Sequence, residues 1–150
     1  MIRNVKNIIS RINTLENKKN VSCIINYYTY LIDKGVATNT QGNNLQTVYQ
    51  FAKYLDKDNL TDVKDKHQVT TYLNTYINDD DPDKKWISTW NIYMLRLISF
   101  YRWLHNFDNG EKQEEYWITP LFIKIKRNKF KELVPIMVLK SGIRKSYNLL

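Results

Sequence analysis

The sequence is poor in cysteine, glycine and proline. Its 150 residues include one cysteine, four glycines and three prolines. A single cysteine, Cys23, excludes an internal disulfide framework and is typical of a protein of the reducing cytoplasm. The scarcity of glycine and proline argues against a turn-rich β-fold and favours helices. No apolar run approaches the length of a transmembrane helix, so we expect no association with a membrane.

Residues that build metal sites and catalytic sites are also few or badly spaced. His67 and His105 lie far apart in the sequence, and with Cys23 alone they do not complete a zinc-binding set. The aspartates of residues 79–83 lack the ligand spacing, the glycine and the closing glutamate of a calcium loop, and we expect a solvated loop near a helix N-terminus. There is no phosphate-binding glycine loop and no nucleophile elbow. The sequence therefore predicts no metal, no cofactor, no small-molecule substrate and no catalysis.

Charge, by contrast, is abundant and segregated. The formal net charge is +8. Residues 118–150 hold eight basic residues and one acidic residue, whereas residues 56–83 hold eight aspartates and three lysines. A segregated basic region of this kind indicates an anionic polymer as partner, with nucleic acid first among the candidates. A lysine-rich tail that only improves solubility is the alternative.

Hydrophobic spacing of three and four residues predicts helices over 3–17, 20–34, 38–55 and 86–104, and a further helix within 60–77. The expected N-caps are Asn20 or Ser22 for the second helix, Thr38 or Asn39 for the third, and Thr61 or Asp65 for the fourth. Gly35 is expected to end the second helix. Residues 117–137 contain two prolines and dense lysine, and are expected to be extended or partly helical.

The predicted helix over 86–104 is the most apolar segment of the chain. One face carries large apolar residues at helical spacing: Ile87, Trp90, Met94, Leu97, Tyr101 and Leu104. Tyr93, Ile98 and Phe100 widen that face to about half of the circumference. Because Ile92, Leu95 and Trp103 also interrupt the far side, we expect protein on more than one side of this helix and place the central helix of the domain here. The remaining polar positions form a narrow strip: Ser88, Thr89, Asn91, Arg96, Ser99 and Arg102.

These patterns predict an all-α protein with a bundle of four to five helices and a basic extended arm. The expected divisions are an N-terminal amphipathic helix over 1–19, the helical bundle over 20–108, the arm over 109–137 and a weakly specified tail over 138–150.

The order of these segments resembles the core-binding domain of tyrosine recombinases, the phage-type integrases, and the archaeal integrases in particular. The most specific parts are "FYRWL" at 100–104 and the K-x-K-E-x-x-P pattern formed by Lys129, Lys131, Glu132 and Pro135. The resemblance covers about residues 20–136. It implies a SAM-like bundle that forms half of a clamp around duplex DNA, with helices 38–55 and 85–104 facing the major groove.

The resemblance also nominates residues for DNA contact. They are Thr40, Gln41, Asn44, Thr47, Lys84, Lys85, Ser88, Thr89, Asn91, Arg96, Lys124, Lys126, Arg127 and Lys129. Lysine and arginine neutralise phosphate, while asparagine, glutamine and threonine bond base edges or backbone. The family's catalytic residues belong to a further domain that we do not find in this sequence, although "SGIRKSYNLL" is similar to the box that holds its first catalytic arginine. We therefore expect a non-catalytic DNA-binding domain whose partners are double-stranded DNA and full-length recombinase protomers.

A helical protein–protein interaction module is the alternative function. In that case exposed aromatic residues, among them Trp86, Trp103, Trp117 and Phe122, would dock a partner protein. A dimer that depends on concentration and not on salt would distinguish this alternative from DNA binding.

Overall fold

The computed structural model describes residues 4–128 of the chain. These residues contain five α-helices and no β-strand, which confirms the predicted all-α class. The helices are α1 (Val5–Asn13), α2 (Lys18–Asp33), α3 (Thr38–Leu55), α4 (Lys66–Leu73) and α5 (Trp86–Asp108). Short 3-10 helices lie at Leu60–Asp62, Asn74–Tyr76, Glu114–Tyr116 and Leu121–Ile123.

Two of the predicted helix boundaries are confirmed. Gly35 follows α2 with a φ of 81°, the left-handed conformation that glycine adopts without steric cost. The N–H of Gly35 bonds the carbonyl of Ile32 and the N–H of Val36 bonds that of Leu31, the pattern of a Schellman motif. Asp65 begins α4 with a capping box that it shares with Gln68.

The caps predicted for α2 and α3 are wrong. Asn17, and not Asn20 or Ser22, caps α2 by accepting from the N–H groups of Lys19 and Asn20. Neither Thr38 nor Asn39 caps α3, because both lie inside the helix and the cap position is held by Ala37, which has no side-chain acceptor. The correct cap of α2 lies three residues earlier because the amide of Asn17 also bonds the backbone of Lys57, forty residues away.

Helix α5 is the centre of the bundle, as predicted. All six residues of its predicted apolar face are buried, together with Phe100 and Trp103. Tyr27 of α2 packs against Phe100 with ring centres 5.1 Å apart, and Phe51 of α3 packs against Tyr101 at 6.4 Å. Burial of such large aromatic side chains supplies much of the hydrophobic stabilisation of a domain of this size.

The link between α3 and α4 is held by side chains rather than by a longer helix. Within the predicted helix at 60–77, only Lys66–Leu73 is α-helical. The N–H of Leu60 bonds the Oδ1 of Asn20 at 2.8 Å, and the carbonyl of Leu60 accepts the hydroxyl of Tyr101 at 3.0 Å. Both polar backbone groups of this fully buried residue are therefore satisfied by side chains of α2 and α5.

Residues 109–128, the described part of the predicted arm, return along α5 in the opposite direction. The side chain of Asn106 bonds the N–H of Ile118 at 3.0 Å and its carbonyl at 2.9 Å. Farther along, Asn91 makes the same two bonds to Asn128. Ile123, between these two points, is fully buried. The hydrophobic core therefore extends past the division predicted at residue 108.

Candidate nucleic-acid interface

The N-terminal half of α5 keeps one side exposed. Its exposed residues follow each other at steps of three and four and form what we call the α5 face: Lys85, Ser88, Ile92, Leu95 and Ser99. Thr89 and Arg96 are half-buried and border this face. The residues of the polar strip predicted on this helix therefore fall into two groups. Some face solvent, and others make contacts that stabilise the fold.

The loop before α5 places Lys84 and Lys85 at the start of the face. The carboxylate of Asp81 accepts the N–H groups of Asp83 and Lys85, each at 3.0 Å. Lys84 adopts the left-handed conformation with a φ of 54°. Its N–H bonds the Asp81 carbonyl and its own carbonyl accepts from Ile87. Asp81 thus lies at the positive end of the α5 dipole, as expected of the aspartate loop, and orients both lysines.

Arg96 lies at the contact between α3 and α5. Its Nη1 donates to the hydroxyl oxygen of Thr47 at 3.3 Å, and its guanidinium carbon lies 5.7 Å from the centre of the Tyr93 ring. Thr47 is 2% exposed, and its hydroxyl donates to the Asn43 carbonyl at 3.1 Å. Thr47 therefore positions a cation beside the α5 face.

Asn91 brings the basic segment to the same side of the bundle. It is 7% exposed; its amide donates to the carbonyl of Asn128 at 2.9 Å, and its Oδ1 accepts the N–H of Asn128 at 2.7 Å. Lys124, Lys126 and Arg127 are exposed in the residues just before Asn128. This double hydrogen bond fixes the end of the basic segment one helical turn from Ser88.

Three of the fourteen predicted DNA contacts are buried, and their side chains are engaged within the chain. Thr47 and Asn91 act as just described, and the amide of Gln41, which is 9% exposed, donates to the Val36 carbonyl at 2.8 Å in the turn between α2 and α3. These residues support the candidate surface instead of forming it. The physical reason is that each fills a position where a buried backbone group or a cation needs a polar partner.

Ten of the other eleven predicted contacts lie at or near the surface, and one is not described. Thr40 is exposed and Asn44 is half-buried on the first half of α3, which carries no lysine or arginine before Lys53. The structure therefore concentrates positive charge on α5 and on the segment over 124–127, and leaves α3 with neutral polar groups. Lys129 lies outside the described residues, as do Lys131, Glu132 and Pro135 of the quoted motif.

The aromatic residues of the alternative function are less exposed than expected. Trp103 is 2% exposed, while Trp86, Trp117 and Phe122 are half-buried. A different apolar set faces solvent around the end of α5 and the returning segment. It consists of Phe107, Tyr116, Ile118 and Leu121.

The expectation that protein covers the far side of this helix holds for Trp103, which is buried, and is wrong for Ile92 and Leu95, which stand exposed within the α5 face. These two residues fall opposite the apolar stripe of Leu97 and Tyr101 at 100° per residue, where no other element of the described chain covers them. Asn106 and Asn20, which anchor distant backbone segments, were not predicted, because their partners lie far away in the sequence.

The pKa values of Cys23, Tyr72 and Tyr101 are raised, chiefly by burial. Burial, and to a lesser extent the charge of Asp108, raises the pKa of the Cys23 thiol to about 12, so the thiol is protonated and unreactive at neutral pH. Burial likewise raises the pKa of Tyr72 and of Tyr101. Within residues 4–128 no three histidine, cysteine or acidic side chains cluster as metal ligands would. No helix in the same range is both long enough and apolar enough to span a bilayer.

No family model matches this chain, and no curated protein and no solved structure matches it either. The function proposed for this chain therefore rests on its residues and their geometry.

Proposed function

We propose that this chain is a non-catalytic DNA-binding domain of the tyrosine recombinase type. It binds duplex DNA through the α5 face, the first half of α3 and the basic segment over 124–127. It occupies a recombination half-site, where it can act beside full-length recombinase protomers. No catalytic step is assigned to it. Arg144, the residue nominated by the resemblance to a catalytic box, lies outside the described residues.

The observation that carries this proposal is the double hydrogen bond between Asn91 and Asn128. It joins the N-terminal half of α5, six residues after Lys85, to Asn128 at the end of the basic segment, 37 residues away in the sequence. Arg96 adds a further cation, held by Thr47. Positive groups that are fixed before binding lose less conformational entropy when they meet phosphates than flexible ones do. A solubilising tail would need no such anchoring.

The first experiment is a salt titration of DNA binding by fluorescence anisotropy. The probe is a labelled duplex of about 30 base pairs. If Lys85, Arg96, Lys124, Lys126 and Arg127 each neutralise one phosphate, the log–log slope of affinity against salt is about −4.5 on B-DNA. Absence of binding at about 50 mM salt and tens of micromolar protein would overturn the proposal, because non-specific affinities alone reach this range.

Charge-reversal variants distinguish the contribution of the α5 face to DNA binding from the contribution of the chain's net charge. Lys85→Glu and Arg96→Glu are expected to weaken binding and to make the slope less steep by about one unit each. Lys112→Glu is the matched control. It changes net charge by the same amount at an exposed position beyond the far end of α5, and is expected to leave the slope unchanged. Equal effects of all three variants would show that only net charge matters.

A protein partner is the second candidate function, and one observation favours it. Leu121 and Ile118 are 81% and 65% exposed, and Asn106 holds Ile118 beside the end of α5. Neighbouring exposed apolar residues of this size mark an interaction surface more often than isolated ones do. This function predicts a dimer that forms with rising concentration and persists at high salt. Leu121→Asp is expected to abolish the dimer, and the control Ile32→Asp is expected to leave it intact. These results would support a protein partner over DNA binding.

A further inference from the structure

Two aliphatic side chains stand in the middle of the α5 face. Ile92 is 45% exposed and Leu95 is 51% exposed, in the half of α5 whose opposite side forms the centre of the core. Ser88 and Ser99 lie one turn before and one turn after them, and Arg96 borders them on the α3 side. The pair is therefore an apolar patch within a polar and basic surface.

Phosphate binding does not account for this patch. Contacts to phosphate are made by charged groups, hydroxyls and amides, and an aliphatic side chain offers none of these. An aliphatic group pressed against phosphate removes water from the anion without replacing its hydrogen bonds, which is unfavourable. A surface that met only the DNA backbone would be better served by polar residues at 92 and 95.

The major groove presents one apolar group, the 5-methyl of thymine. We propose that Ile92 and Leu95 contact thymine methyl groups in the major groove and so give this domain a preference for thymine at the positions beneath α5. This inference rests on the proposed DNA-binding function. It adds the base that is read and the residues that read it.

The dimensions of the helix and of the groove agree with this assignment. An α-helix with its side chains is about 10–12 Å across, close to the major-groove width of about 12 Å. Side chains three residues apart on a helix lie about 5–6 Å apart at Cβ, which corresponds to one or two base-pair steps of about 3.4 Å. The two residues therefore reach methyl groups on neighbouring steps while Lys85 and Arg96 reach the flanking phosphates.

The same side chains disfavour cytosine. Cytosine presents an amino donor to the major groove where thymine presents a carbonyl oxygen beside its methyl group. Both of these polar groups lose water beside an aliphatic side chain, so they do not distinguish the two bases. Cytosine carries a hydrogen at C5 where thymine carries its methyl group, and the discrimination therefore comes from the missing apolar contact.

Replacement of thymine by uracil tests the inference, because it removes only the 5-methyl group. The probe is an alternating A–T hairpin duplex of about 30 base pairs, which presents thymines in every register, and the comparison is the same duplex with uracil. Wild-type protein is expected to bind the thymine duplex about four- to tenfold more tightly, from the partial burial of one or two methyl groups. The double variant Ile92→Ser, Leu95→Ser is expected to bind both duplexes equally, with an unchanged salt slope.

The matched control is Ile32→Ser, which replaces an isoleucine of similar exposure, 47%, on α2 and outside the α5 face. It is expected to keep the wild-type preference for thymine. Equal wild-type affinity for both duplexes, with the expected salt slope, would overturn this inference and leave the DNA-binding function standing. A preference that survives in the double variant would also overturn it, since the methyl effect would then act through DNA shape. Failure to bind either duplex would overturn the DNA-binding function itself.

Discussion

The side chain of Asn91 in α5 makes two hydrogen bonds to the backbone of Asn128. The Oδ1 of Asn91 accepts the N–H of Asn128 at 2.7 Å, and the amide of Asn91 donates to the carbonyl of Asn128 at 2.9 Å. A side-chain amide thus replaces the backbone partner that a neighbouring strand would supply. The pair joins the described end of the returning segment to the central helix. Lys124, Lys126 and Arg127 are exposed in the residues just before this anchored end.

Replacement of Asn91 by alanine is expected to release this segment. It leaves the two backbone groups of Asn128 without their partner and costs about 1–3 kcal/mol of stability if they stay away from water. DNA affinity falls as well, because the basic segment is no longer held in place. Asn106→Ala is the matched control. It breaks the equivalent pair with Ile118, so urea unfolding is expected to show a similar loss of stability and anisotropy a smaller loss of affinity. Equal losses of affinity in the two variants would contradict this prediction.

Thr47 is expected to act on DNA binding through Arg96, as a positioning residue. Thr47→Val removes the oxygen that accepts from the guanidinium, while Thr47→Ser keeps it. The valine variant is expected to bind DNA several-fold more weakly and the serine variant to restore most of the affinity. Thr70→Val controls for the loss of a helical hydroxyl, because Thr70 bonds only carbonyls of its own helix. Serine and valine variants with the same affinity would rule out the hydroxyl as the cause.

Tyr101 is expected to stabilise the link between α3 and α4. Tyr101→Phe removes the shorter of two hydrogen bonds to the buried carbonyl of Leu60, which keeps only the N–H of Val63 at 3.4 Å, and is expected to cost about 1 kcal/mol. Tyr54→Phe, at a residue that is 45% exposed, is expected to be close to neutral. Urea unfolding of both variants measures the difference. A neutral Tyr101→Phe would mean that water replaces the hydroxyl.

Alkaline solution is expected to destabilise the fold. Burial raises the pKa of Cys23 from 9.0 to about 12, so the unfolded chain gives up this proton at a lower pH than the native chain does. The stabilisation is fully present below about pH 9 and is lost as the pH rises toward 12. Tyr101, whose pKa burial also raises, adds a loss of the same sign. Urea midpoints at pH 7 and pH 10.5 test this, and Cys23→Ala is expected to reduce the fall. Equal midpoints would contradict it.

Asp83 is expected to oppose DNA binding. Its exposed carboxylate lies two residues from Lys85, on the loop that enters the α5 face, and only its backbone N–H bonds Asp81. Asp83→Asn removes a charge that repels phosphate and is expected to tighten binding about two- to threefold at low salt, and less at high salt. Asp33→Asn, the same change at the end of α2, is expected to have no such effect. An equal gain in both variants would assign the effect to net charge.

Local patterns predicted much of the fold because their causes are local. The apolar stripe of α5 follows from helical geometry alone, and the six residues at its centre are buried, while Tyr93 and Ile98 at its edges are half-buried. Gly35 ended α2 where it was expected because a left-handed residue at a helix end costs glycine little. The capping box of Asp65 and Gln68 needs only residues three apart.

The wrong predictions concern positions where several neighbouring residues suit the same role equally well. Asn17, Asn20 and Ser22 are all good N-caps. The choice of Asn17 depends on residues 57–59, which also bond its amide. In the same way, Gln41, Thr47 and Asn91 were predicted to face DNA because their residue types suit a polar surface. Their burial depends on Val36, Arg96 and Asn128, and the last two partners are 49 and 37 residues away.

The sequence by itself determined the helical class, the central place of α5 and the separation of basic from acidic segments, because periodicity and charge act over a few residues. Only the tertiary structure decided which polar residues are structural and which remain on the surface. A buried amide or hydroxyl must find a partner, and that partner can lie anywhere in the chain. The candidate DNA-binding surface consists of the polar and charged residues that these structural contacts leave at the surface.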